Sequence, residues 1–202
     1  MKSTFNVIIA GVGGQGNLVC GRSLAMAAIS QGLNPVLGDT FGASRRGGGV
    51  VTHLRISEKN LGPLIPKGHL DLILGMEPIE ALRAAINFGG ENTVVVFSNL
   101  PILSPATLSG DEVYPVITKI TGALKILCSQ VHEFDARSII QETGTHRVLN
   151  VYMLGALVGL GILPLEGDAI KTSIDTLVGL DSKNLSAFQS GQSDGEVQRE
   201  SH

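Results

Sequence analysis

Near the start of the chain, a short apolar run leads directly into a cluster of glycines, with the sequence FNVIIAGVGGQG over residues 5–16. An apolar run of this length, bounded by glycine, predicts a buried strand of a parallel sheet over Phe5–Ala10. A helical pattern follows over Gln15–Gln31, and Gly32 ends it. A strand, a glycine turn and a helix in this order are typical of an α/β domain.

The rest of the chain alternates between strand and helix patterns. This alternation predicts a doubly wound, Rossmann-like α/β fold, with a mostly parallel sheet, helices on both faces and a C-terminal helical segment. Further strands are expected at Pro35–Asp39, Val50–Ser57, Leu70–Leu74, Thr93–Phe97 and Gln130–Asp135. Further helices are expected at Glu77–Asn87, Pro115–Leu124, Ala136–Glu142, Asn150–Leu163 and Gly167–Val178. We expect one domain over residues 1–189 and a disordered polar tail over residues 190–202.

Composition excludes several classes of protein. The net charge of −3 and the lack of a basic stripe argue against a nucleic-acid partner. No apolar run reaches transmembrane length and Met1–Thr4 does not resemble a signal peptide, so we expect a cytoplasmic protein without a membrane partner. The two cysteines, Cys20 and Cys128, are too few to hold an iron–sulfur cluster, which normally needs four protein ligands.

The glycine cluster is the first candidate binding site. Its candidate cofactor-binding residues are Gly11, Gly13, Gly14, Gln15 and Gly16, which match G-x-G-x-x-G between a strand and a helix. Three interpretations are open: an anion held by free N–H groups at the helix start, a dinucleotide whose ribose meets Asp39, or tight packing without a ligand. A Walker loop is excluded because no Lys-Ser or Lys-Thr follows the glycines.

A second glycine-rich loop, GASRRGGG over residues 42–49, adds the candidates Arg45, Arg46, Gly47 and Gly48. Guanidinium groups suit phosphate or carboxylate, and neighbouring glycines leave them unobstructed. This loop also follows a predicted strand, so both loops are expected at one edge of the sheet. A docking loop for a partner and an ordinary solvated loop are the alternatives.

No catalytic group accompanies these loops. The internal histidines, at positions 53, 69, 132 and 146, are scattered and form no metal-binding spacing, and we expect them to be structural. Cys20 is expected to be a small buried residue. We therefore assign no catalytic residue and no metal ligand to this chain.

Several motifs together resemble those of one family. GVGGQG at residues 11–16, RGG at 46–48, LRIS at 54–57, NVYMLG at 150–155 and NLSAFQSG at 184–191 resemble the gamma-type subunit of 2-oxoacid:ferredoxin oxidoreductases. The resemblance covers roughly residues 5–191. Within the family, NVYMLGAL is most similar to the beta subunit of the indolepyruvate type.

The resemblance implies a division of labour between subunits. A large partner subunit would hold thiamine diphosphate, Mg²⁺ and the 4Fe–4S clusters, and ferredoxin would be an indirect partner. The complex would oxidatively decarboxylate a 2-oxoacid in a coenzyme A-dependent reaction, with arylpyruvates as substrates in the indolepyruvate type. The small subunit would contact coenzyme A through Gly13–Gly16 and Arg45 or Arg46. The alternatives are an independent nicotinamide-dependent dehydrogenase and a nucleotide-binding regulatory module.

Overall fold

A computed structural model describes residues 4–41, 49–103 and 105–201 of the chain. The predicted site residues Arg45, Arg46, Gly47 and Gly48 lie outside these ranges. The strands are β1 (Thr4–Val12), β2 (Asn34–Phe41), β3 (Gly49–Ser57), β4 (Leu72–Gly75), β5 (Val94–Ser98) and β6 (Gln130–Phe134). The helices are α1 (Asn17–Ser30), α2 (Pro78–Phe88), α3 (Pro105–Ser109), α4 (Ile117–Leu127), α5 (Arg137–Thr143), α6 (Leu149–Leu160), α7 (Gly167–Val178) and α8 (Ser182–Glu200).

The strands form one six-stranded sheet in the order β2-β3-β1-β4-β5-β6. Strands β1, β4, β5 and β6 are parallel, whereas β3 is antiparallel to both of its neighbours, β1 and β2. The prediction of a mostly parallel sheet is therefore confirmed. Strand β3 follows β2 directly in the chain and pairs antiparallel with it. It lies between β2 and β1, so it is also antiparallel to β1.

Helices cover both faces of the sheet, as predicted. Alternate residues of β1 divide between two apolar cores because successive side chains of a strand point to opposite faces. Val7 and Ile9 pack in a core with buried residues of α1, α6, α7 and α8, whereas Ile8 and Ala10 pack with residues of α2 and α4. The result is a three-layer α/β/α arrangement whose parallel strands share one carboxyl edge. No helix in the described ranges combines the length and the apolar character needed to cross a membrane.

The C-terminal residues differ from the expectation. Residues 190–200 continue helix α8, so the prediction of a disordered tail is wrong for them. Their polar composition is misleading because this part of α8 contacts α6 through its glycines rather than through large apolar side chains. A Cβ on Gly191 would lie 2.0 Å from the Tyr152 carbonyl oxygen, and one on Gly155 would lie 2.2 Å from that of Phe188. The two helix backbones are therefore in direct contact.

This close crossing uses the same spacing on both helices. Gly155 and Gly159 in α6 and Gly191 and Gly195 in α8 are each four residues apart, so each pair lies on one helix face. Helix α6 is buried at nearly every position from Leu149 to Leu160, so it is covered on both sides. Helix α8 supplies part of that cover.

Candidate functional site

The glycine turn lies at the carboxyl edge of the sheet, between the end of β1 at Val12 and the start of α1 at Asn17. Gly14 and Gly16 have φ angles of 99° and 85°, which side chains other than glycine rarely adopt. The start of α1 has no side-chain cap and no acidic residue in its first turn. The turn therefore places uncapped N–H groups at the end of a helix, as the anion-binding interpretation requires.

The glycines of this turn divide into two kinds. A Cβ on Gly11 would lie 2.7 Å from Gln15 Oε1 and 2.9 Å from Met76 Cβ, and one on Gly16 would lie 2.4 Å from Asn150 Nδ2. Gly11 and Gly16 are thus needed for close packing. Around Gly13 and Gly14, in contrast, a Cβ would meet no atom within 4 Å. The packing interpretation therefore accounts for the two outer glycines, and open space for a ligand lies above the two inner ones.

Gln15 holds the turn in place. Its side-chain Oε1 accepts a hydrogen bond from the Val12 N–H at 2.8 Å, and its Nε2 donates to the Met76 carbonyl at 2.9 Å. Met76 directly follows β4, so Gln15 ties the turn to the neighbouring parallel strand. Both polar ends of this side chain are used within the protein.

Two pockets flank the turn. The polar pocket encloses about 430 Å³ and is lined by Gly14–Gly16 together with Arg147, Asn150, Val151, Val178 and Asn184. The apolar pocket encloses about 370 Å³ and is lined by Gly13–Gln15 together with Leu100, Pro101, Ile102, His146, Arg147 and Leu149. Arg147 and the glycine turn border both. None of these described lining residues is a carboxylate, although the chain as a whole carries a net charge of −3.

The ends of the second glycine-rich loop also lie at this edge. In the sheet register, Val12 at the end of β1 pairs with Gly49, and Phe41 at the end of β2 pairs with Val50. The described residue after this loop, Gly49, therefore lies next to the end of β1, and the described residue before it, Phe41, lies one strand further out. Phe41 and Gly49, which flank the second glycine-rich loop, lie at the same edge of the sheet as the glycine turn, in agreement with the expectation for the two loops.

A pair of buried carboxylates lies beside these loops. Glu77 caps the start of α2 by accepting a hydrogen bond from the Glu80 N–H at 2.9 Å, and Glu80 pairs with Arg83 at 2.5 Å. Burial raises the pKa of the Glu80 carboxyl, and Arg83 opposes this shift. A Cβ on Gly49 would lie 2.3 Å from Glu80 Oε2, so this carboxylate abuts the start of β3.

Glu77 also fixes the segment that borders the apolar pocket. Its Oε1 accepts hydrogen bonds from the Ile102 N–H at 3.4 Å and from the Tyr114 hydroxyl. Burial and the hydrogen bond to Glu77 both raise the pKa of the Tyr114 phenol. Sequence reasoning missed this carboxylate, although a Glu-Pro pair immediately after a buried strand is typical of a helix N-terminus.

The position of Asp39 argues against the interpretation in which it binds the ribose of a dinucleotide. Asp39 accepts a hydrogen bond from the Thr52 hydroxyl at 2.6 Å, and Thr52 in turn pairs with Ile9 of β1. Strand β3 therefore separates Asp39 from β1, by two strand spacings or about 10 Å. In a dinucleotide-binding fold the corresponding strand is the direct neighbour of β1.

His53 and Cys20 are buried away from the glycine turn's pockets. His53 is buried, packs edge-on against the Phe88 ring, and has a pKa lowered by burial. Cys20 is fully buried and donates to the Asn150 carbonyl at 3.7 Å, and burial raises the pKa of its thiol, which confirms the expectation for this residue. Within the described ranges, no group of His, Cys, Asp and Glu side chains is placed to hold a metal ion.

Comparison with known proteins identifies the family. The family model described as "Pyruvate ferredoxin/flavodoxin oxidoreductase" matches residues 6–193, nearly the whole chain. The chain belongs to this family. The resemblance inferred from the motifs is therefore confirmed.

Relatives within the pyruvate ferredoxin/flavodoxin oxidoreductase family are named as subunits. The indolepyruvate oxidoreductase subunit IorB of Archaeoglobus fulgidus is 36% identical over 169 residues, which cover 84% of this chain and 83% of the relative. The gamma subunit of a keto/oxoacid ferredoxin oxidoreductase from Geobacter sulfurreducens has the same fold, with a TM-score of 0.65 at 20% identity, covering 96% of this chain and 99% of that one.

A further solved structure carries the fold inside a longer chain. The 2-oxoglutarate:ferredoxin oxidoreductase of Magnetococcus marinus, solved with 2-oxoglutarate, coenzyme A and succinyl-CoA bound, matches with a TM-score of 0.71 at 20% identity. The match covers 98% of this chain but 32% of that one. In that protein, the fold of this chain is joined covalently to other parts of the enzyme.

Proposed function

We propose that this chain is the small subunit of a heteromeric 2-oxoacid:ferredoxin oxidoreductase of the indolepyruvate type. In the complex, a 2-oxoacid loses carbon dioxide, its acyl group passes to the thiol of coenzyme A, and two electrons pass to ferredoxin. The large partner subunit holds the thiamine diphosphate, Mg²⁺ and 4Fe–4S clusters. The similarity to the Archaeoglobus subunit supports the indolepyruvate type.

The part assigned to this chain is contact with coenzyme A. The observation that carries this assignment is the glycine turn, where Gly13 and Gly14 face open space between two pockets whose described lining contains no carboxylate. Phosphate groups bind well to uncapped helix N–H groups and to guanidiniums. We assign the phosphates of coenzyme A to the amides of Gly13–Gly16 and to Arg45 or Arg46, whose loop starts and ends at this edge.

Docking to the large subunit is assigned to the same edge. The segment between β5 and α4 carries several exposed apolar residues: Leu103, Leu108, Val113 and Val116. Val113 is 91% exposed and Leu108 is 71% exposed. Exposed apolar side chains grouped in one segment are typical of an interaction surface. The Magnetococcus protein, in which this fold belongs to a longer chain, supports a large oxidoreductase subunit as the occupant.

Affinity purification of this chain from its native source tests the assembly. A large subunit with the visible absorbance of iron–sulfur clusters should co-purify. A chain that purifies alone, as a stable monomer or homo-oligomer, would contradict the proposed complex and favour a regulatory module.

The coenzyme A contact is tested in the purified complex by Arg45→Ala combined with Arg46→Ala. A charge-assisted hydrogen bond contributes about 1.5–3 kcal/mol, so the concentration of coenzyme A at half-maximal rate should rise about tenfold or more. Assembly should be intact, as judged by co-purification. An unchanged requirement for coenzyme A would remove these arginines from the coenzyme site and leave them a docking role.

A further inference from the structure

We propose that Arg147 is a phosphate-binding residue of this site and that the Asn150 amide is its neighbouring donor. This inference rests on the proposed function, because it names residues that hold the anionic part of the same ligand. Neither residue belongs to a glycine-rich motif. Asn150 lies in the first turn of α6, and Arg147 lies in the short 3-10 helix immediately before α6.

Arg147 is held by its backbone but not by its side chain. It lies in a short 3-10 helix, His146–Val148, whose cap Thr145 accepts a hydrogen bond from the Arg147 N–H at 3.2 Å. The structure gives its guanidinium no ion pair with any carboxylate of the described residues. Arg147 lines both the polar and the apolar pocket, so its charge lies between them.

Asn150 gives a second, independent indication of a ligand. It is only 7% exposed, and its Oδ1 accepts a hydrogen bond from the Val151 N–H at 2.9 Å. Its Nδ2 lies against Gly16 and lines the polar pocket, and it has no acceptor among the residues that the structure describes. Asn150 Nδ2 is not among the buried, unsatisfied atoms of the described residues, so it reaches the polar pocket and can donate to an acceptor on a ligand there.

The donors converge on one kind of group. The polar pocket combines a guanidinium, an amide nitrogen and the uncapped start of α1, with no carboxylate among its described lining residues. Such a set matches a phosphate, which has several acceptor oxygens and more than one negative charge. Across the turn, Leu100, Ile102 and Leu149 line a pocket suited to an apolar portion of the same molecule. The site therefore fits a phosphate ester with an apolar part, which describes coenzyme A.

The test uses equilibrium binding of coenzyme A to the purified complex, without a 2-oxoacid, and compares it with binding of pantetheine, which has the thiol arm but no phosphate. Arg147→Ala should raise the dissociation constant of coenzyme A about tenfold or more, equivalent to at least about 1.4 kcal/mol. The dissociation constant of pantetheine should stay within about twofold. Lys125→Ala, at an exposed position of α4 on the other face of the sheet, is the matched loss of one positive charge and should change neither value.

Asn150→Asp is the second variant. It keeps an oxygen acceptor for the Val151 N–H but replaces the free amide donor with a negatively charged acceptor. It should weaken coenzyme A by at least as much as Arg147→Ala, again with little effect on pantetheine. Unchanged coenzyme A binding in both variants would overturn the inference, as would an equal loss of coenzyme A and pantetheine.

Gly13→Leu separates this inference from the proposed function. Gly13 has no positive φ angle and faces open space, so the leucine side chain should enter the ligand region without disturbing the turn. If Gly13→Leu weakens coenzyme A while the Arg147 and Asn150 variants do not, the turn is the coenzyme site and the assignment of Arg147 is wrong. If all three variants bind coenzyme A normally, the coenzyme role of the turn is wrong as well.

Discussion

Replacement of Gly191 by alanine should destabilise the chain strongly for so small a change. The added Cβ would lie 2.0 Å from the Tyr152 carbonyl oxygen and 3.0 Å from the Ala156 backbone nitrogen. Both obstacles are backbone atoms of α6, which cannot rotate away as a side chain does. Overpacking of this kind costs about 1–3 kcal/mol, and α6 is buried on nearly all sides, so we expect the upper part of that range.

Gly122→Ala is the matched control. Gly122 lies within α4, where a Cβ would meet no atom within 4 Å and the φ angle is not positive. An alanine at such a helix position should stabilise by about 0.5–1 kcal/mol. The two variants should thus differ by about 1.5–4 kcal/mol in the free energy of unfolding. Both add the same methyl group, so the difference reports the surroundings of each position.

Urea denaturation of the full chain, followed by far-UV circular dichroism, measures this difference. Gly191→Ala should have the lower midpoint, and Gly122→Ala should match or exceed the original chain. Hydrogen exchange should show slow exchange for the α8 amides in the original chain and faster exchange in Gly191→Ala. Equal midpoints for the two variants, or fast exchange of α8 in the original chain, would refute the backbone contact between α6 and α8.

Three further substitutions test the supports of the site. Gln15→Ala removes both hydrogen bonds of a bracing side chain and should cost about 2 kcal/mol by urea denaturation; a cost near zero would show that the turn needs no brace. Tyr114→Phe removes a donor to buried Glu77 and should cost about 1–3 kcal/mol by the same method, whereas a neutral result would mean that other groups satisfy Glu77. Burial raises the pKa of the Glu80 carboxyl above its ordinary value of 4.5. The folded chain therefore holds a proton on Glu80 at a pH where the unfolded chain has lost it. Ionisation of Glu80 consequently lowers the stability of the fold as the pH rises above 4.5. Glu80→Gln should reduce this fall as the pH rises above 4.5, and an unchanged pH profile would contradict the raised pKa.

The sequence was informative wherever a local pattern decides the structure. The run Phe5–Ala10 and the glycines after it predict β1, the turn and the start of α1, because a buried strand and a glycine turn depend mainly on nearby residues. The helices on both faces follow from alternating patterns in the same way. The position of the reversed strand β3 did not follow, since an alternating strand pattern does not show which neighbour it pairs with or in which direction.

The structure of residues 190–200 and the position of Arg147 and Asn150 beside the glycine turn depend on contacts between distant segments of the chain. Val197 is the one apolar side chain among residues 190–200, so composition predicted disorder. Two glycines spaced four apart in each of α6 and α8 nevertheless allow close backbone packing. That repeated spacing was visible in the sequence and is the pattern that could have predicted the crossing. Arg147 and Asn150 reach the glycine turn only because α6 begins beside α1. Asn150 is the first residue of the NVYMLG motif, but that motif does not show which segment lies beside it.

We propose that this chain acts only as part of a larger oxidoreductase. Its most direct test is arylpyruvate- and coenzyme A-dependent reduction of ferredoxin, measured for the purified chain, for its large subunit and for the two combined. We expect turnover in the combination and none from this chain alone. Oxidation of a 2-oxoacid by this chain, free of any partner, would contradict it.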